Sequence, residues 1–77
     1  MNIVYFRDMD ALYIELKPHE AETAWEPAPG ITINYAANGE PVGIQIDQAS
    51  ERVNLDYLNV GNFPGQVDVL TKQQPTH

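Results

Sequence analysis

The chain has 77 residues, 43% hydrophobic and 19% charged, with no cysteine. Eleven acids against four bases give a formal charge of −7 and a pI near 4.4. One domain fits this length, disulfides and thiolate chemistry are excluded, and nucleic-acid binding is disfavoured because Arg7, Lys17, Arg52 and Lys72 are few and scattered.

No apolar run approaches the roughly 20 residues that span a bilayer. The start, Met1-Asn2-Ile3-Val4-Tyr5, lacks the basic, apolar, small-residue order of a signal peptide. The expectation is a cytoplasmic protein that binds neither membrane nor nucleic acid.

Period-two alternation, which places every second side chain on one sheet face, dominates the pattern. Ile3 and Tyr5 mark a first strand, and Arg7-Asp8-Met9-Asp10 is a polar break with turn-forming aspartates. Leu12, Ile14 and Leu16 mark a second strand, stopped by Pro18, which has no amide hydrogen to give a ladder. Thr23-Ala24-Trp25 reads as a short strand before Pro27-Ala28-Pro29-Gly30, and the prolines place it at an edge. Ile31, Ile33 and Tyr35 alternate in the next strand, and Val42, Ile44 and Ile46 in the one after. Asn38-Gly39 between them predicts a type I′ hairpin turn, which needs positive φ at both positions.

After Asp47 the periodicity changes. Asp47 is a candidate N-cap for a short helix over residues 48–52, with Glu51 favourable near its positive end. Residues 54–58 suggest another helical turn, 59–63 an extended stretch, and Pro64-Gly65 a turn. Val67, Val69 and Leu70 suggest a last strand. The expected organisation is a single β-rich domain over residues 1–70 and a flexible C-terminal tail over 71–77.

The fold class is therefore mainly β: a small antiparallel β-meander sheet with short C-terminal helical turns. A sheet with one apolar face must bury it against something. Ile3, Tyr5, Leu12, Ile14, Leu16, Ile31, Ile33, Tyr35, Val42, Ile44 and Ile46 would form a patch larger than soluble monomers expose. No amphipathic helix is available to cover it. Burying one such aliphatic side chain contributes about 1.5–3 kcal/mol, so a homodimer is favoured over a curled sheet with its own lid.

Chemistry-bearing motifs are sparse. Asp8-Met9-Asp10 pairs two carboxylates, but Ala11-Leu12 follows where a calcium loop needs further oxygen ligands and a glycine. His19 stands with Glu20 and Glu22, without triad or zinc-ligand spacing. Ser50 is the only serine and has no nucleophile motif around it, and His77 is terminal. Gly30, Gly39, Gly43, Gly61 and Gly65 match no phosphate-binding fingerprint. No catalytic, cofactor-binding or metal-binding residue is assigned, and no cofactor is implied. Trp25 reads equally as a core residue and as a partner hot spot.

Four segments carry a family resemblance: Ile3-Val4-Tyr5, Asp10-Ala11-Leu12-Tyr13-Ile14-Glu15-Leu16, Gly30-Ile31-Thr32-Ile33-Asn34-Tyr35, and Asn38-Gly39 through Val42-Gly43-Ile44-Gln45-Ile46-Asp47-Gln48-Ala49-Ser50. Over about residues 1–60 the chain resembles the small prokaryotic domain-of-unknown-function family 2283. It departs with Asn34 and Gln45 where acids are usual, with Gln48 where an apolar residue is common, and with a longer loop bearing Trp25. The resemblance implies a compact, mostly antiparallel β domain and carries over no catalytic residue. Families of this kind often sit beside toxin genes, which suggests an antitoxin-like role.

The leading functional expectation is a non-enzymatic interaction module with a basic protein partner, drawn to Glu20, Glu22, Glu26, Glu40, Glu51, Asp56 and Asp68. The alternatives are a small-molecule or metal binder at a dimer seam near Asp8, Asp10 and His19, and a structural homo-oligomer built on edge strands.

Overall fold

A computed structural model describes residues 1–56 and 65–72. The alternating segments form strands β1 (Asn2–Phe6), β2 (Ala11–Glu15), β3 (Thr23–Ala28), β4 (Ile31–Tyr35) and β5 (Pro41–Asp47). A single-turn helix α1 (Ala49–Arg52) and strand β6 (Asp68–Lys72) follow. The strands lie in one sheet in the order β3-β4-β5-β2-β1-β6. The mainly β reading holds, while the antiparallel meander is corrected in two respects. β2 pairs with β5 rather than with β3, and β6 pairs with β1 in parallel. A parallel neighbour needs a crossover instead of a tight turn. Here the chain leaves β5 at one end of the sheet and re-enters it beyond β1.

Register divides the side chains between two faces, because directly opposed residues point the same way. Ile3 opposes Ile14, and Tyr5 opposes Leu12. Leu12 opposes Ile46, and Ile14 opposes Ile44. Ile31 opposes Ile46, Ile33 opposes Ile44, and Trp25 opposes Ile33. These residues make one continuous apolar face. The other face is mixed: it carries Asn2, Glu15, Thr32, Asn34, Gln45 and Asp47 together with Val4, Phe6, Ala11 and Tyr13, and Asn2 Nδ2 donates to Glu15 Oε1 across the strands at 2.8 Å.

Among the described residues the buried apolar set is three small side chains, Ala11, Val42 and Ala49. Ile3, Leu12, Ile14, Ile31, Ile33, Ile44 and Ile46 are all only partly covered. Each strand packs chiefly against its lateral neighbours, and no described element stacks across the sheet. Among the described residues the sheet is a single layer.

Three local expectations are refined. The β4–β5 hairpin forms, but its turn is not type I′. Gly39 N donates to Ala36 O at 2.9 Å and Ala36 N to Glu40 O at 2.9 Å. Gly39 alone in this loop has positive φ, at 86°, so the loop is the longer form in which a left-handed residue follows an ordinary turn. Asn38 instead accepts the Glu40 N–H on Oδ1 at 3.0 Å, an Asx interaction.

The second refinement concerns the strand ends. β2 stops at Glu15, where the Leu16 and Lys17 amides both donate to Val42 O. β3 is an edge strand with a register irregularity between Trp25 and Ala28, spanning Pro27, as the missing proline donor requires. β6 takes in Thr71 and Lys72, which composition assigned to the tail.

The third refinement is the helix cap. Asp47 is the last residue of β5, its amide donating to Gly30 O at 2.8 Å and its carboxylate accepting from Gln45 Nε2 at 3.0 Å. The helix consequently starts later, after Gln48, which adopts a left-handed φ of 53° and makes no side-chain cap. Beyond α1, Asn54 Oδ1 accepts from Asp56 N at 3.0 Å in a turn. The end of the second expected helical turn, the extended 59–63 stretch, Pro64 and the tail beyond Lys72 lie outside the described residues.

Candidate functional site

The most connected polar cluster lies where the β1–β2 turn meets α1. After β1 the chain turns through Arg7–Asp10, with Met9 N donating to Phe6 O at 3.2 Å. Asp10 closes this turn in the left-handed region, at φ 49°. Aspartate tolerates that conformation better than most residues. Its backbone carbonyl accepts the Ala49 amide at 2.8 Å, and its Oδ1 accepts the Ser50 amide at 3.0 Å. Its Oδ2 accepts the Ser50 hydroxyl at 2.6 Å. The Tyr5 hydroxyl donates to Oδ1 at 2.8 Å.

Asp10 thus does for α1 what Asp47 was expected to do. It satisfies the first amides of the helix from the β1–β2 turn rather than from the adjacent residue. Hydrogen bonds from the Ser50 hydroxyl first, then from the Tyr5 hydroxyl, hold the Asp10 carboxyl below its ordinary pKa. The same bond to Asp10, aided by partial burial and by the carboxylate's charge, raises the Tyr5 phenol above its ordinary value. With three donors on one carboxylate, the arrangement fastens β1, β2 and α1 together. Tyr5 belongs to the apolar face, and α1 is anchored at the end of the strands where the β1–β2 turn lies, its Arg52 guanidinium reaching Gly30 just ahead of β4.

The other residues singled out in the sequence fall elsewhere. Asp8 is exposed in the β1–β2 turn. His19, Glu20 and Glu22 are exposed beyond the opposite end of β2 from Asp10, so the fold does not bring His19 to Asp8 and Asp10. Among the described residues, no three His, Asp or Glu side chains converge as metal ligands. Ser50, set aside for want of a motif, is the residue that sequence reasoning missed. Its only signal was its position just inside a short helix.

Trp25 is 57% exposed on the edge strand, on the same face as Ile33. All seven acids named for a basic partner are exposed. Lys17 Nζ pairs with Glu40 Oε2 at 3.4 Å, with both side chains about half exposed, a geometry that adds little stability. No helix among the described residues is long and apolar enough to cross a membrane.

No curated protein and no solved structure matches this chain. The sequence model of one family, described as "Protein of unknown function (DUF2283)", matches residues 2–50, from the first residue of β1 to the serine that Asp10 holds. The chain belongs to that family.

Proposed function

We propose that this domain is a non-enzymatic protein-interaction module, cytoplasmic and homodimeric, whose further partner is a basic protein. The observation that carries the reading is the combination of a single-layer sheet with seven exposed acids, Glu20, Glu22, Glu26, Glu40, Glu51, Asp56 and Asp68. A one-layer sheet with partly covered aliphatic residues gains free energy when another surface covers it. The acids attract a cationic partner over a range of about a Debye length, roughly 8–10 Å at ordinary salt. An antitoxin-like role, in which the partner is a small basic toxin, fits this chemistry and rests on the habits of small families of this kind.

The test is capture of the tagged protein's companions from its host lysate at low and high salt, followed by association kinetics with the recovered species. A stoichiometric basic protein, whose association rate falls steeply as ionic strength rises, is the expected result. A rate that stays flat between low and high salt, or recovery of the bait alone, overturns the basic-partner reading.

A further inference from the structure

We propose that the β3–β4–β5 half of the apolar face is the self-docking surface of the chain, with a second copy as its occupant and Trp25 as the anchor. This rests on the interaction-module reading and names the first partner of that module. Trp25, Ile31, Ile33, Ile44 and Ile46 lie on one face. At the other end of the face the Tyr5–Asp10–Ser50 cluster ties α1 to β1 and β2. Among the described elements none packs broadly on the β3–β4–β5 half; Arg52 of α1 reaches only Gly30, just ahead of β4.

Core composition fits a second copy. The three buried apolar residues of the described chain, Ala11, Val42 and Ala49, are all small, while Ile31, Ile33, Ile44 and Ile46 are only partly covered, so a shared layer would bury the large side chains that the described sheet leaves partly exposed.

Charge also selects the occupant. None of the paired residues on this face is charged, although the chain carries −7 overall. Glu15 and Asp47 point to the opposite face. Two copies can therefore meet here without facing carboxylates, in the self-complementary manner of a two-fold dimer. A basic partner is drawn instead to the acid-bearing turns and edges. Tryptophan is enriched among residues that anchor interfaces, and an indole left 57% exposed beside Ile33 suits that position.

Because Trp25 is the only tryptophan, its emission reports this surface without a label. The experiment follows molar mass by sedimentation and indole emission together over a dilution series of the intact chain. The expected result is a dimer that dissociates on dilution, with emission shifting to the red along the same curve. Trp25→Glu and the milder Trp25→Ala, both followed by mass alone, raise the dissociation constant at least about tenfold. Thr32→Glu on the opposite face leaves it unchanged. Circular dichroism verifies that each variant keeps its sheet.

A folded monomer at every concentration overturns the proposal. So does a dimer whose indole emission ignores dilution, or one that Thr32→Glu weakens as much as Trp25→Glu. A monomer that still captures a basic protein at low salt overturns this surface and leaves the interaction reading standing. A Trp25-dependent dimer that captures nothing supports the surface while the basic-partner reading fails.

Discussion

Asp10 and Ser50, forty residues apart, are joined through both atoms of one carboxylate: Oδ1 takes the Ser50 amide at 3.0 Å and Oδ2 the Ser50 hydroxyl at 2.6 Å. A four-residue helix has almost no intrinsic stability, so α1 depends on this contact for its position. Ser50→Ala keeps the amide bond and loses the hydroxyl bond. Asp10→Asn keeps the left-handed turn, which asparagine also tolerates, and loses the charge. Both are expected to lower the thermal midpoint by roughly 4–8 °C, the scale of one helix cap in a domain of this size. Asp10→Ala, which also strains the turn, is expected to cost more than either. Thermal melts of the three variants beside the parent check the ranking, and an Asp10→Ala melt matching the parent would refute the clasp.

The same cluster sets two pH limits with opposite signs. Asp10 has a folded pKa below its ordinary value of 3.8. The unfolded chain therefore binds the proton first as pH falls. The stability this contributes is complete above that ordinary value and is lost as pH drops through the depressed one. Tyr5 has a folded pKa above its ordinary value of 10.0, so its contribution is complete below pH 10.0 and is lost as pH rises through the raised value. Denaturant midpoints against pH are expected to fall less steeply on the acid limb for Asp10→Asn. Tyr5→Phe is expected to flatten the alkaline limb.

The strands and their faces were legible because period two is a local signal. Ile3, Tyr5, Leu12, Ile14, Ile31, Ile33, Ile44 and Ile46, which the alternation assigned to strands, all fall on the shared face. Edge placement of the Trp25 segment followed from Pro27, a local property of the backbone. Sheet order was not legible. Nothing in the composition of β2 says that it pairs with β5 before β3, or that β6 adds in parallel to β1. The Asp10–Ser50 contact was hidden for the same reason. Asp47 stood in the local cap position, and only the tertiary pairing of Asp47 N with Gly30 O takes that residue into the sheet. Membership of the family was legible in the Asp10–Leu16 and Val42–Ser50 segments, both inside the matched residues 2–50.

The β4–β5 turn separates two roles that the sequence merged. Gly39 needs its left-handed φ of 86°, with open space where a Cβ would sit. Gly39→Ala therefore costs conformational strain alone, about 1–2 kcal/mol. Asn38 is not left-handed; its role is the 3.0 Å bond from Glu40 N. Asn38→Asp preserves that acceptor and is expected to be tolerated, while Asn38→Ala loses about 0.5–1.5 kcal/mol. A true type I′ turn would leave Asn38→Gly nearly neutral, since glycine accepts the positive φ that asparagine also tolerates. Here that substitution is expected to destabilise, and chemical denaturation of Asn38→Gly decides between the two geometries.

Gly43 and Tyr13 form a pair on the face opposite the proposed docking surface. Gly43 is buried, and a Cβ added there would overlap the Tyr13 phenol. The ring thus lies over a glycine on the neighbouring strand, the aromatic cover that compensates for a missing side chain within a sheet. Gly43→Ala displaces the ring and is expected to destabilise by about 1–3 kcal/mol, as overpacking does. Tyr13→Ala removes the cover and is expected to destabilise as well. The double variant is informative, because the alanine methyl has room once the ring is gone. Its loss is expected to be smaller than the sum of the two single losses. Strict additivity in denaturant midpoints would show that the phenol does not rest on Gly43. Because this pair faces away from the Trp25 surface, none of the three variants should change the dimer dissociation constant while the sheet remains folded.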